Sequence, residues 1–209
     1  YGDMQETGVR TSDVRNRNRE LSHYLMENAG QELVACLFQR EDTLQEAAAV
    51  LSLSVSDVTE AERMLRSLIN TVSTEGRGKT PLITFCYTAN KAYPVYRLPQ
   101  TTLFTQLTSF VEPSMHVYAT FYGGRLLLAP DEDSLLRYIR QLDNGEVLDG
   151  ALAYRAGTDG LSDSYHFMLM ADFAHVLDQS GYQVRYVPEF FLRNSDFFRN
   201  FVLFAQFTC

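Results

Sequence analysis

This chain of 209 residues has no tryptophan, only three cysteines, and no apolar run approaching the roughly 20 residues of a membrane-crossing helix. Each absence removes a class of function. Cys36, Cys86 and Cys209 form neither a paired framework nor a C-x-x-C motif, which argues against structural zinc and thioredoxin-like exchange. Cys36 and Cys86 sit inside apolar strand-like runs, where a cysteine behaves as a small core hydrophobe. Positive charge is also short: 18 Lys and Arg face 26 Asp and Glu, a net charge of −8. Nucleic acid and anionic membrane both require an electropositive surface, so neither is an expected partner. Arg10, Arg15, Arg17 and Arg19 are interleaved with Asp13 and Glu20 and read as a solvated helix face.

Catalytic motifs are missing in the same way. Gly78-Lys79-Thr80 imitates the end of a phosphate-binding loop, but Ser73 stands where the first glycine belongs. The segment also leads into a strand, whereas a phosphate cradle must lead into a helix whose N-terminus faces the anion. His23, His116, His166 and His175 show no H-x-x-x-H or H-E-x-x-H spacing, and no G-x-S-x-G elbow occurs. No catalytic residue, cofactor ligand or metal ligand is assigned on these grounds. The alternative is a hydrolase-like or small-ligand-binding enzyme that uses dispersed acids with His166 or His175, both of which could approach Asp172.

What is present is a strong fold signal between Met115 and Leu142. Met115, Val117, Ala119 and Phe121 alternate with His116, Tyr118, Thr120 and Tyr122, the period of two of a half-buried strand. Gly123-Gly124 suits a type I′ turn, whose two central residues need φ > 0, so Arg125 to Ala129 is expected to return as a hairpin. Pro130-Asp131 stops that strand. Asp131, Glu132 and Asp133 then favour a helix N-terminus, and Leu135, Leu136, Ile139 and Leu142 follow at helical spacing.

The remaining pattern predicts a loose end over residues 1–10 and a polar helix from Ser12 to Asn28, closed by Asn28-Ala29-Gly30. A strand is expected at Leu33 to Gln39. Thr43 and Glu46 form a capping box for a helix through Leu44, Ala47, Ala48 and Leu51, and Asp57 with Glu60 starts a second helix reaching Asn70. Thr71 to Thr80 reads as a loop. Strands are predicted at Pro81 to Thr88 and Tyr93 to Leu98, a helix at Thr101 to Val111, a loop at Gly157 to Ser162, a strand at Ser164 to Met170 and a short helix at Asp172 to Asp178. A strand followed by an acid-capped helix recurs three times, at Leu33 to Leu51, Leu126 to Leu142 and Tyr165 to Leu177.

The fold class that follows is α+β, with a mixed, largely antiparallel sheet and helices packed on one face. The expected organisation is an N-terminal segment, residues 1–30, and an α+β domain, residues 31–209, divided into two lobes near 71–80. The chain starts at Tyr1 and ends at Cys209 beside the apolar run Phe201 to Phe207. The pattern therefore predicts a C-terminal strand cut short and places any signal or anchor upstream. Tyr87, Tyr93, Tyr96, Tyr118 and Tyr122 lie on strands and are the candidate binding surface; packing beneath helices is the competing use of those rings. The phenylalanines from Phe197 to Phe207 read as core.

The segment Phe121 to Ala129, the helix Ser134 to Gln141 and the tail Asn144-Gly145-Glu146-Val147-Leu148 together resemble an uncharacterised bacterial family, a domain of unknown function found in Bacteroidetes-like bacteria. The similarity runs from about Tyr93 to Cys209, while residues 1–70 depart from the family pattern. Members are membrane-anchored and extracytoplasmic, so the resemblance implies a periplasmic or other envelope location with the anchor upstream. With no catalytic constellation, the expected function is a non-catalytic envelope module for assembly, through a protein partner or self-association.

Overall fold

The computed structural model describes residues 11–39, 47–75, 83–88, 91–98, 100–107, 114–146, 152–178 and 187–208. The elements run α1 (Thr11–Asn28), β1 (Ala29–Gln39), β2 (Ala47–Val55), α2 (Val58–Glu75), β3 (Ile83–Tyr87), β4 (Ala92–Arg97), α3 (Leu103–Leu107), β5 (Tyr118–Tyr122), β6 (Arg125–Ala129) and α4 (Glu132–Asp143). They continue with α5 (Leu152–Thr158), β7 (Phe167–Asp172), α6 (Phe173–Asp178), α7 (Glu189–Arg193), α8 (Ser195–Phe198) and β8 (Val202–Phe207). Six strands form one sheet in the order β1-β2-β6-β5-β4-β3, and β7 with β8 forms a separate two-stranded ribbon. Each strand pair whose register is described is antiparallel, and the class is α+β.

The chain divides into two units, the first holding the described residues of Tyr1–Leu37, Ala49–Ser109 and Pro113–Arg140. The hairpin β5-β6 forms its centre. Gly123 and Gly124 adopt φ of 55° and 80°, the left-handed geometry that a Cβ would strain, and Tyr122 pairs with Arg125 across them. Leu126, Leu127, Leu128 and Ala129 are all buried, so both faces of β6 are covered. Each such leucine contributes about 1.5–3 kcal/mol of transfer free energy.

Alternation decides what covers each face. Leu51, Ala119, Leu128 and Tyr96 lie in register across β2, β6, β5 and β4 and share a face. On that side Leu21 and Tyr24 of α1, Leu65 of α2 and Phe104 of α3 meet Leu126 and Leu128 around a void of only about 10 Å³. That is barely room for one water, so this layer is a packed core. Helices α1 to α3 thus pack on one face, but the expectation of helices on one face alone is corrected, because α4 lies on the other. In addition, Tyr138 of α4 reaches Cys36 of β1, whose side chain shares the opposite face with Glu32, Ser52 and Arg125.

Helix starts follow their acids. The Asp57 carboxylate accepts the Glu60 N–H at 3.1 Å, and the Asp131 carboxylate accepts the Ser134 N–H at 2.8 Å and its hydroxyl at 2.7 Å. The second cap also satisfies Ser134, which is fully buried.

The second unit holds the described residues of Phe38–Ala48, Phe110–Glu112 and Gln141–Cys209. Phe167 pairs with Phe207 at one end of its ribbon and Asp172 with Val202 at the other. Tyr154 and Gly157 of α5 lie against Phe204 on the ribbon's even-numbered face. Phe173 of α6 is buried between Phe191 of α7 and Phe198 of α8, with ring centroids 5.0 and 5.7 Å away.

Several expectations are corrected. Ala47 to Leu51 is strand, not helix, because pairing of Leu51 with Leu128 and Leu53 with Leu126 buries that run and overrides the helical preference of its alanines. The first strand-helix recurrence is therefore a strand followed by a strand. Thr43 and Glu46 fall outside the described residues. Gly30 does not close α1; it lies in β1, where a Cβ would sit 2.5 Å from the Ser54 hydroxyl. Helix α2 continues through Glu75 into the segment expected as loop, and 76–80, with Lys79, is not described. Gly157 is helical rather than the start of a loop; α3 is described over Leu103–Leu107, and the remainder of the expected helix, 108–111, lies outside the described residues.

The domain division is corrected as well. Leu21 and Tyr24 of α1 are buried in the core of the first unit, so residues 1–30 are not a separate segment. Strands on both sides of 71–80 join one sheet, and the units part after Arg140 instead. No described helix is long and apolar enough to cross a membrane.

Replacing both Gly123 and Gly124 with alanine should cost about 1–3 kcal/mol, since each Cβ meets open space but a strained backbone. Urea melts of the double variant check this; an unchanged midpoint means the turn tolerates a Cβ. Gly157→Ala should destabilise the second unit. A Cβ there would sit 2.0 Å from the Phe204 ring, and overpacking of about 1–3 kcal/mol exceeds the helix-propensity gain of about 1 kcal/mol. A higher melting temperature would contradict it.

Candidate interaction surface

The tyrosines expected to form a surface do not share one. Tyr93 and Tyr96 stand three residues apart on β4, so they point to opposite faces, and both are buried. Tyr122 is half-buried with its ring 5.2 Å from Tyr93, and Tyr118 is half-buried on the same face of β5. Tyr87 lies in β3, and its side chain is not described. Tyr96 is thus turned towards α2, while Tyr93, Tyr118 and Tyr122 stand on the other face of the sheet.

Tyr96 instead joins a polar pin between β4 and α2. Its hydroxyl accepts the Arg66 Nε–H at 2.9 Å and donates to the Glu62 carboxylate, which also accepts from Arg66 at 2.7 Å. Burial and the Glu62 hydrogen bond push the phenol up to about 12. Burial also opposes ionisation of Glu62, but the hydrogen bonds from Tyr96 and Arg66 outweigh it and hold the carboxyl below its ordinary value. These groups join a helix to a strand, and nothing in the geometry leaves them directed at a ligand.

A second polar cluster lies on the other side of the sheet. Arg125 donates to the Ser52 hydroxyl and carbonyl and pairs with Glu32 at 2.7 Å. The Cys36 thiol lies 3.6 Å from the Tyr138 hydroxyl. Burial pushes the thiol up against the opposing effects of Tyr138 and Arg125, and burial likewise pushes the Tyr138 phenol up. A thiol held protonated is a poor nucleophile. Cys86 is fully buried, which matches its reading as a core hydrophobe.

The dispersed acids and histidines are not gathered. His166 and Asp172 lie at opposite ends of β7, on the order of 20 Å apart at about 3.3 Å per residue. Asp172 accepts the Ala174 N–H at the start of α6, and the side chain of His175 is not described. His23 lies 3.2 Å from Glu27, and His116 lies 3.2 Å from Arg97. An open cleft lined by Glu27, Asp57 and Glu60 measures about 390 Å³, but Asp57 caps α2, Glu60 is held by Arg63 and Glu27 by His23. Among the described residues no group of three or more His, Cys, Asp or Glu is placed to hold a metal. Arg15 and Arg19 are exposed on α1, as a solvated face requires.

The second unit presents the feature the sequence misplaced. Phe197 and Phe207 are each 62% exposed, Phe190 61% and Phe167 52%, so the C-terminal phenylalanines are not all core. Phe198 and Phe204 turn inward, whereas Phe201 and Phe207 stand on the opposite parity of the chain. Among the described residues α5 lies on one face of the ribbon, and the large side chains of the other face are exposed. The sequence carries a signal of this: in Phe167-Met168-Leu169-Met170 both parities are apolar, the pattern of a strand meant to be covered on both sides.

Tyr96→Phe removes a hydroxyl that bridges two charged groups and should cost about 1–2 kcal/mol. Because the folded pKa of Glu62 is depressed, its contribution is present above the ordinary carboxylate range and is lost as pH falls through the folded value. The variant should therefore lose less stability than the parent on acidification below about pH 4.5. Denaturant midpoints of both proteins at neutral and acid pH measure it; parallel curves would exclude coupling through Tyr96.

No protein-family model, curated protein or solved structure matches the chain.

Proposed function

We propose that this chain is a non-catalytic module of the cell envelope, built for assembly or protein-partner binding through the bare apolar face of its second unit. The observation that carries this is the aromatic exposure at Phe167, Phe190, Phe197 and Phe207, whereas none of the described phenylalanine and tyrosine side chains of the first unit is exposed. Contiguous exposed apolar surface rimmed by polar residues marks interaction sites. The envelope placement rests on the family resemblance of the hairpin and its helix. The alternative, a hydrolase-like or ligand-binding enzyme, finds less support, because Asp57 of the open cleft caps α2, Glu60 pairs with Arg63 and Glu27 lies against His23.

Two measurements test the proposal. Cell fractionation of the full-length tagged protein should recover it with the envelope, and recovery in the cytosol defeats that placement. At high dilution, where copies are apart, the native chain should enhance the fluorescence of a hydrophobic dye, and Phe167→Ser with Phe207→Ser should cut the signal by about half with unchanged circular dichroism. Turnover of ester, phosphate or glycoside chromogens that disappears in His166→Ala would favour the enzyme instead.

A further inference from the structure

The outer face of the β7-β8 ribbon consists of alternate residues on each strand and of those just beyond the strand ends. On β7 these are Tyr165, Phe167, Leu169 and Ala171; on β8 they are Phe201, Leu203, Ala205 and Phe207. None is charged, and all six of the large ones are exposed. The face is continuous: the Phe167 and Phe207 rings lie 5.8 Å apart at one end, and Phe201 meets the exposed Phe197 at 4.9 Å near the other. We propose that this face is a homodimer interface, in which the ribbons of two copies of this chain pack face to face. The proposal rests on the module reading and names its partner.

Area supports a second copy as the occupant. A large side chain such as an aromatic covers about 150–250 Å², and about half of that is open on each of these six residues and on Phe197, so one copy offers on the order of 700 Å². Two copies would bury about 1,400 Å², within the range of about 1,200–2,000 Å² that specific interfaces occupy. Composition points the same way, because homodimer interfaces are more apolar than transient ones and this strip carries no charge.

The fold supplies a further reason. Helix α5 covers only the even-numbered face of the ribbon, and two ribbons stacked about 10 Å apart through their odd-numbered faces would share an apolar layer there. A lipid surface is the poorer occupant. Interfacial membrane binding is strengthened by Lys and Arg around the apolar face, yet from Gln141 to Cys209 only Arg155, Arg185, Arg193 and Arg199 stand against nine acids, with no lysine.

Sedimentation velocity of the 209-residue chain between about 1 and 100 μM, with reductant throughout so that no thiol can link copies, reads the association directly. A monomer-dimer equilibrium is expected, and Leu169→Arg should weaken it at least about tenfold with unchanged circular dichroism. Because the chain has no tryptophan, Phe207→Trp adds a single reporter on the face without removing its bulk. Its emission should move to shorter wavelength as concentration rises and stay fixed when Leu169→Arg is added. A monomer at 100 μM, a dimer indifferent to Leu169→Arg, open-ended oligomers, or flotation of the chain with neutral phosphatidylcholine vesicles would each overturn the proposal. A monomer that still binds the hydrophobic dye at this face defeats self-pairing and leaves the module reading standing, whereas turnover dependent on His166 defeats the module reading whatever the oligomeric state.

Discussion

Burial of β6 on both faces is the constraint on which the first unit depends. β6 lies between β2 and β5, so its backbone is paired along both edges, and its leucines supply apolar contact to both sides of the sheet. A strand in that position tolerates neither a polar side chain at its centre nor a slip in register, because a shift of one residue would exchange its two faces. The Gly123-Gly124 turn fixes that register from one side and the caps at Asp131 fix the helix that follows. The hairpin and α4 thus form one continuous unit of sequence that needs little help from elsewhere.

Polar groups in the same unit act as pins between layers. The Glu62-Arg66-Tyr96 group joins α2 to β4, and Asn18 of α1 accepts both the Thr101 hydroxyl and the Thr102 N–H ahead of α3. Thr120, fully buried in β5, gives its hydroxyl to the Pro94 carbonyl at 2.8 Å. Each arrangement satisfies groups that would otherwise cost about 1–3 kcal/mol when buried alone. Tyr96, proposed from sequence as part of a surface, is drawn into this role, which is why it is not displayed.

The second unit obeys different economics of burial. Among its described residues are the β7-β8 ribbon, the short helices α5 to α8 and a cluster of phenylalanine rings, which cover one side of the ribbon and leave the other exposed. Its inner face meets Gly157 so closely that no side chain fits between helix and ring. The apolar face left over is the physical basis for reading the chain as an assembly module.

Sequence alone determined the elements whose signals are local. The Gly-Gly turn requires φ > 0, the acids at Asp57 and Asp131 mark helix starts, and alternation defines β5, β6 and the β3-β4 hairpin, so each could be read without knowing its neighbours. Ala47 to Val55 could not, because alanine favours helix and only pairing with β6 makes that run a strand. The candidate site was hidden for the same reason. Tyr93, Tyr96, Phe197 and Phe207 are all aromatic residues in apolar runs, and which rings meet water depends on whether another layer covers them. Tertiary structure decided that by placing a packed layer over Tyr96 and leaving the odd-numbered face of β7 and β8 exposed.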